Sequence, residues 1–313
     1  MYLVTGGGGF IGSHLVRALV QRGMDVRVLD NSSSGSRERI ADVRREVEWV
    51  DGDIRDAELV RKACQGVEVI LHQAAVASVP RSIAEPDMTH AVNITGTLNV
   101  LLAARETGVR RVVFASSSAV YGNLPTTPKT EMMPTQPLSP YGVQKLAAES
   151  YCRIWHAIYG VETVALRYFN VFGPAQDPNS EYAAVIPRFI SAVVGGQTPV
   201  VYGDGEQSRD FIYISNVVDV NLLAATAPEA AGQVINVGTG TKITLNHLLR
   251  ELGRLSEHPL RAQYEAARSG DVRESLADIS LMHTLLGYTP AVSFAEGLAL
   301  TFQAFERSAY KHH

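Results

Sequence analysis

The residues most able to do chemistry are a tyrosine, a lysine and a run of serines. Pro140-Tyr141-Gly142-Val143-Gln144-Lys145 reads as the start of a helix, and the i,i+4 spacing sets Tyr141 and Lys145 on one face. A free tyrosine titrates near ~10 and is a poor base at neutral pH. A neighbouring ammonium favours the phenolate and makes Tyr141 a workable general base. A lone Tyr-x-x-x-Lys is frequent by chance and usually marks a solvated helix face. Here it has a companion: Phe114-Ala115-Ser116-Ser117-Ser118 ends an apolar run that reads as a buried strand. Open α/β sheets place ligands at such strand ends, and a serine hydroxyl there can bond a reacting hydroxyl.

A second constellation opens the chain. Tyr2–Val4 runs as a strand into Thr5-Gly6-Gly7-Gly8-Gly9-Phe10-Ile11-Gly12, and a helix pattern follows. Glycines at a strand-to-helix turn let backbone approach a pyrophosphate, whose charge the helix N-terminus favours. The four glycines fit two spacings, Gly7-x-Gly9-x-x-Gly12 or Gly6-x-x-Gly9-x-x-Gly12. The second strand, Val26–Leu29, ends in Asp30, 18 residues beyond Gly12. A carboxylate there accepts from the adenosine ribose hydroxyls and repels a 2′-phosphate, which selects NAD over NADP. The cationic nicotinamide of NAD would favour the Tyr141 phenolate further. Asp53 and Ile54 follow the third strand and are placed to close over the adenine, with Asp56 the natural N-cap of the next helix. His72-Gln73-Ala74-Ala75 ends the fourth strand in small residues that let backbone pass close to the cofactor, and His72 itself reads as structural.

The elements that must position these groups form an α/β pattern. Apolar runs at Tyr2–Thr5, Asp25–Asp30, Val47–Val50, Val67–His72, Arg111–Ser116 and Val161–Arg167 alternate with helical patterns at Phe10–Arg22, Ala57–Ala63, Asp87–Thr107 and Ser139–Tyr159. This predicts a doubly wound parallel Rossmann sheet. After Asn170, segments rich in Gly, Pro and Asn (Phe172–Ser180, Gly195–Gln207) predict a smaller α/β substrate-binding lobe. Asn216–Ala225 and Val234–Val237 read as a helix and strand returning to the main sheet, which divides the chain into 1–169 with 214–237, and 170–213 with 238–313.

The chain has 313 residues, 46% hydrophobic and 19% charged, enough for a sizeable core. A formal charge of −4 argues against a nucleic-acid surface, which usually carries a basic stripe. Cys64 and Cys152 make no C-x-x-C and lack metal-site spacing, so no metal is expected. Met1 leads straight into strand with no basic leader, and no apolar run approaches the ~18 residues of a membrane span. The expectation is a soluble, cytoplasmic protein.

These motifs resemble the extended short-chain dehydrogenases, specifically the UDP-galactose/UDP-N-acetylglucosamine 4-epimerases, over essentially the whole chain. The likeness runs through Thr5–Gly12, Asp30-Asn31, Asp53-Ile54, His72–Ala75, Asn93, Val120-Tyr121-Gly122 and Tyr141–Lys145. It continues through Arg167-Tyr168-Phe169-Asn170, Ala183–Pro187, Gly203-Asp204-Gly205, Ser208–Phe211 and Gly270–Arg273. The resemblance implies Ser117, Tyr141 and Lys145 as the catalytic set, with Ser116 and Ser118 flanking the serine position. It implies that Tyr141 takes the proton of the sugar 4-hydroxyl while C4 gives hydride to NAD⁺. The 4-keto sugar then turns over and recovers hydride on its other face. For NAD it implies Gly6, Gly9, Phe10, Ile11, Gly12, Asp30, Asn31, Asp53, Ile54, Gln73, Ala74, Ala75, Asn93, Ser116, Tyr141, Lys145, Tyr168 and Phe169. For the UDP-sugar it implies Ser78, Ser117, Tyr141, Asn170, Gln176, Ala184, Val185, Tyr202, Arg209, Arg268, Asp271 and Ser275, the arginines facing the diphosphate. It further implies a homodimer built on the helices at Asp87–Thr107 and Ser139–Tyr159, with Cys152, Trp155 and Tyr159 on or near the joining face.

Related enzymes define the alternatives. Nucleotide-sugar 4,6-dehydratases carry an Asp-Glu pair after the catalytic Ser/Thr, and UDP-glucuronate decarboxylases a Glu in the same stretch. Ser118-Ala119 hold no carboxylate here. A UDP-glucuronate 4-epimerase ranks below because of Asn170, and a non-catalytic dinucleotide-binding regulator would have lost the Ser/Tyr/Lys set. The small Ser275 matches the position that gates the sugar C2 substituent, and it points to UDP-GlcNAc/UDP-GalNAc with UDP-Glc/UDP-Gal also accepted.

Overall fold

The computed structural model describes residues 1–178, 184–267 and 273–310, so Arg268 and Asp271 lie outside the described residues. Seven strands form one parallel sheet: β1 (Tyr2–Thr5), β2 (Val26–Asp30), β3 (Val47–Asp51), β4 (Val69–His72), β5 (Arg111–Ser117), β6 (Glu162–Tyr168) and, later in the chain, β11 (Val234–Val237). Their order is β11-β6-β5-β4-β1-β2-β3. The order reverses between β1 and β4, which pair in register from Tyr2↔Val69 to Thr5↔His72. Ligands of doubly wound sheets bind at that switch point. The strands read as Val, Ile and Leu because helices cover both faces, and Leu3, Val4, Val28, Ile70, Leu71, Val112 and Val113 are all fully buried.

Helices α1 (Phe10–Gln21), α2 (Ala57–Ala63), α3 (Val79–Ala84), α4 (Pro86–His90), α5 (Thr97–Thr107) and α6 (Pro140–Tyr159) follow the strands of the first half. The single helix expected over Asp87–Thr107 is interrupted. Between α4 and α5 the turns of Ala91–Gly96 are π-helical, a widening that accommodates Asn93 and that apolar periodicity does not register. α3 was not foreseen either.

The second half supplies β7 (Asn170–Phe172), α7 (Val185–Val194), β8 (Val200–Tyr202), β9 (Ser208–Arg209), β10 (Phe211–Tyr213) and α8 (Ile214–Ala224). After β11 come β12 (Ile243–Thr244), α9 (Leu245–Leu255), β13 (Gln263–Glu265), α10 (Ser280–Leu286) and α11 (Phe294–Tyr310). Three two-stranded pieces, β10-β7, β12-β9 and β13-β8, frame this half. Asp210, between β9 and β10, ties them to the turn after β11 and to Ala277. It is fully buried, and its carboxylate accepts from Thr239 N–H, Thr239 Oγ1, Gly240 N–H and Ala277 N–H at 2.7–3.2 Å. Among the described residues no helix is long and apolar enough to cross a membrane.

Candidate active site

The turn after β1 is drawn tight against its neighbours. Gly6 has φ +70°, and a Cβ on it would lie 2.7 Å from the Ala74 amide nitrogen. A Cβ on Gly12 would lie 2.1 Å from the Gly6 carbonyl oxygen. Backbone thus requires glycine at 6 and 12, which favours the spacing Gly6-x-x-Gly9-x-x-Gly12. Gly9 is the N-cap of α1 and brings no capping side chain, so the first-turn amides at Phe10 and Ile11 face outward to an anion. This cradle, with no room for a Cβ, fits a dinucleotide pyrophosphate.

Asp30 ends β2 almost buried. Its Oδ2 accepts from Gly8 N–H at 2.8 Å and its Oδ1 from Ser32 N–H at 2.7 Å. Each oxygen keeps a lone pair for a ribose hydroxyl. Asn31 Nδ2 donates to Asp53 Oδ2 at 2.7 Å, and Arg55 pairs with the same carboxylate, chiefly through hydrogen bonds that hold it at about 2. Asp56 caps α2, accepting from Leu59 N–H at 3.0 Å. The Ile54 side chain is core, packed beneath Gly96.

A relay fixes the end of β4. Thr97 Oγ1 gives its proton to the Asn93 carbonyl, so it accepts from His72 Nε2–H at 3.0 Å. His72 Nδ1 is then an acceptor for Thr5 Oγ1–H at 2.7 Å, and Thr5 Oγ1 accepts from Ala74 N–H at 3.2 Å. His72 is therefore neutral and structural, and burial pushes it down to about 3. Asn93 clasps Val76 N–H and C=O and donates to Gln144 Oε1 at 2.7 Å. These bonds hold Ala74 and Ala75 beside Gly6.

Two expected cofactor contacts point elsewhere. The Tyr168 hydroxyl donates to Asn221 Oδ1 at 2.9 Å and accepts from Gln73 Nε2 at 3.1 Å, and the Phe169 ring is buried against Tyr121. Their side chains belong to the core, which leaves only backbone for a cofactor.

The chemical set meets where β5 ends and α6 begins. The Ser117 side chain faces the Tyr141 phenol, and Ser117 Oγ accepts from Ala119 N–H at 3.2 Å. Burial pushes the Tyr141 phenol up and the Ser117 hydroxyl pulls it back. Lys145 lies beneath. Its Nζ donates to the Ala115 carbonyl at 2.7 Å and stands 4.9 Å from the Phe114 ring centre and 5.9 Å from that of Tyr141. Desolvation brings this ammonium down to about 8.

Ser116 turns away from this set and donates to the Glu149 carboxylate. Arg167 grips the same carboxylate with Nε and Nη2 at 2.9 and 2.8 Å, both side chains nearly dry. Arg167 Nη1 donates to the Tyr121 hydroxyl, which donates in turn to Asn236 Oδ1 at 2.7 Å. Sequence reasoning missed Glu149, although it continues the row Tyr141, Lys145 at the same i,i+4 step.

The second half contributes a looser group. Asn170 opens β7, Ala184 caps α7 and Val185 begins it, Tyr202 ends β8, and Arg209 lies in β9 with Nη1 bonded to the Ser208 carbonyl at 2.9 Å. Ser275 N–H donates to that same carbonyl at 3.2 Å, which places Ser275 beside Arg209. Gln176 Nε2 donates to Val171 C=O at 3.4 Å, and its buried Oε1 has no partner among the described residues. Ser78 caps α3, its Oγ accepting from Arg81 N–H at 3.1 Å.

The chain is similar to known proteins over nearly its whole length. The profile of the NAD dependent epimerase/dehydratase family matches residues 2–238. The UDP-glucose 4-epimerase of Mycolicibacterium smegmatis is 38% identical over 311 residues, 98% of this chain and 99% of that one. A UDP-N-acetylglucosamine 4-epimerase from Methanobrevibacter ruminantium, solved with UDP-N-acetylmuramic acid, is 42% identical with a TM-score of 0.94 over 98% of both chains. The UDP-glucose 4-epimerase of Thermus thermophilus, solved with NAD, is 37% identical with a TM-score of 0.88 over 97% of this chain and 98% of that one. With the glycine cradle, Asp30 and the Ser117–Tyr141–Lys145 cluster in place, the chain is an enzyme of the NAD-dependent epimerase/dehydratase family.

Proposed function

We propose that the enzyme inverts C4 of a UDP-hexose through a transient 4-keto sugar, acting on UDP-GlcNAc/UDP-GalNAc and on UDP-Glc/UDP-Gal. The observation that carries this reading is the convergence of Ser117, Tyr141 and Lys145, with the Lys145 ammonium 5.9 Å from the Tyr141 ring centre and Ser117 facing its phenol. NAD, when bound, serves as the two-electron acceptor and donor for the sugar carbon. Gly6, Gly9, Phe10, Ile11 and Gly12 hold its pyrophosphate, Asp30 and Asn31 its adenosine ribose, and Lys145 its nicotinamide ribose. Tyr141 removes and returns the 4-hydroxyl proton, and Ser117 orients that hydroxyl. Lys145 stabilises the phenolate electrostatically.

Arg209 and Arg268 take the diphosphate, Ala184, Val185, Tyr202 and Asp271 the uridine, and Ser78, Asn170, Gln176 and Ser275 the sugar. In this reading residues 1–169 with 214–237 carry the cofactor, and 170–213 with 238–313 the UDP-sugar. The relatives' names support the reaction, and the N-acetylated ligand of the Methanobrevibacter ruminantium enzyme supports tolerance of a C2 acetamide. Ser118 and Ala119 open a short 3₁₀ turn and bring no carboxylate, which disfavours dehydration or decarboxylation. We place the enzyme in the cytoplasm as a homodimer.

Two measurements test the proposal together. Purified protein incubated separately with UDP-GlcNAc and UDP-Glc should yield the C4 epimer of each without added cofactor. Denatured protein should release NAD near stoichiometrically. Absence of any epimer, or release of NADP instead, overturns it.

A further inference from the structure

The first turn of α6 needs partners for its backbone amides. Pro140 has none to satisfy, Gly142 N–H donates to Ser139 Oγ at 3.1 Å, and Val143 N–H donates to the Ser139 carbonyl at 3.0 Å. The amide of Tyr141 is left over, and Ser82 Oγ accepts it at 3.0 Å from another helix, α3. The Ser82 hydroxyl proton goes to the Val79 carbonyl at 2.7 Å, which turns its lone pairs towards Tyr141. Ser82 is fully buried, whereas Val79 and Ile83 beside it are 39% and 62% exposed. Apolar packing therefore does not explain why α3 lies here. One hydroxyl anchors it, and that hydroxyl ends on the residue whose phenol meets Ser117.

We propose that Ser82 is a positioning residue for Tyr141, holding its amide so that the phenol stays against Ser117. The inference rests on Tyr141 acting as the acid–base group. Backbone and ring share one Cα, so an unpaired amide that shifts towards water carries the hydroxyl with it. A displacement of about 1 Å is enough to slow a positioned proton transfer markedly. The next turn of α6 has an independent tether. Gln144 Nε2 donates to Thr89 Oγ1 at 2.9 Å, and Asn93 donates to Gln144, so loss of the Ser82 bond leaves the helix docked.

The test uses Ser82→Ala, Ser82→Cys, Ser82→Thr and Tyr141→Phe, with Ser82→Ala also placed in the Tyr141→Phe background. Ser82→Ala should lower kcat about tenfold with KM within about twofold of wild type. Ser82→Thr, which keeps the acceptor, should recover most of the rate. Ser82→Cys, a weak acceptor of similar size, should fall between and serves in place of Ser82→Ala if that variant folds poorly. Added to Tyr141→Phe, Ser82→Ala should cost nothing more, because both act through one hydroxyl. Unchanged kcat in Ser82→Ala and Ser82→Cys, or an equal further loss in the Tyr141→Phe background, overturns the positioning role. Near wild-type turnover by Tyr141→Phe overturns the acid–base assignment itself.

Discussion

Ser116 and Ser117 are neighbours on β5, yet they serve residues two turns apart on α6: Ser116 donates to the buried carboxylate of Glu149, and Ser117 faces the phenol of Tyr141. The run of three serines is thus divided between structure and chemistry. Ser117→Ala should reduce kcat on the order of 10²-fold with little loss of thermal stability, since it removes a hydroxyl that faces the reacting group. Ser116→Ala should do the reverse. It deprives Glu149 of one donor while Arg167 stays in place, costing about 1–2 kcal/mol in stability and little in rate. Measuring kcat and Tm for both variants checks the division, and the opposite pattern would exchange the two roles.

Tyr141→Phe keeps the ring and deletes the proton-transfer group. Turnover should fall on the order of 10²–10⁴-fold. Calorimetric affinity for the UDP-sugar should stay within a few-fold, because the proposed uridine contacts lie on the other half of the chain. Loss of binding in parallel with rate would show that the hydroxyl holds substrate rather than moving its proton.

Lys145 exposes a cost of the site. Desolvation brings its ammonium to about 8 from an ordinary 10.5. The folded state therefore holds this proton less firmly than the unfolded chain. The penalty is complete below about pH 8 and fades as pH rises towards 10.5, where the unfolded chain also loses the proton. Lys145→Met fills the same space without charge, though it leaves the Ala115 carbonyl short of a donor. Stability at pH 7 should rise by about 1–2 kcal/mol, a few degrees in Tm, while turnover collapses. The gain should shrink by pH 10. A variant less stable than wild type at pH 7, or a gain that grows with pH, would contradict the buried-charge account.

Much of the frame was legible because strand and helix periodicities are local. β1, β11 and α2 fall on the expected residues, and Asp56 caps α2 as its position suggested. Legibility ended where a partner lies far along the chain. Gln73 and Tyr168 look like cofactor residues by type and motif. Asn221, 148 residues beyond Gln73, draws both into a structural cluster. α3 escaped notice because its apolar residues face outward and leave no stripe. Glu149 was hidden by a general rule that a charged residue on a helix is a solvated face. Only the convergence of Arg167 and Ser116 shows it to be dry.

The surface of α6 bears on assembly. Cys152 and Trp155, expected near a joining face, turn inward and are 1% and 6% exposed. Val143, Ile154 and Ile158 are instead 43–69% exposed along one face of the same helix. Apolar side chains so arranged along one surface suit an isologous helix-on-helix contact. Light scattering at micromolar concentration should give twice the chain mass, and Ile158→Arg should shift it towards the monomer. A wild-type monomer would refute the dimer.

Ser275 is the proposed determinant of substrate choice. Its amide is bonded to the Ser208 carbonyl, beside Arg209, so the backbone at this position is fixed next to the proposed diphosphate contact. A small side chain there leaves volume for a group on the sugar C2, and a packed site cannot absorb an aromatic ring without displacing ligand. Ser275→Tyr should therefore collapse activity on UDP-GlcNAc/UDP-GalNAc. UDP-Glc/UDP-Gal, with only a hydroxyl at C2, should remain substrates with kcat/KM within about tenfold of wild type. One methylene-sized misfit changes selectivity by roughly 10–200-fold, and a whole ring against an acetamide should reach the upper end of that range or exceed it. The ratio of kcat/KM for the two pairs is the quantity to measure. A ratio equal to that of the wild type would remove Ser275 from the specificity determinants and move the search to Gln176, whose buried Oε1 has no partner among the described residues.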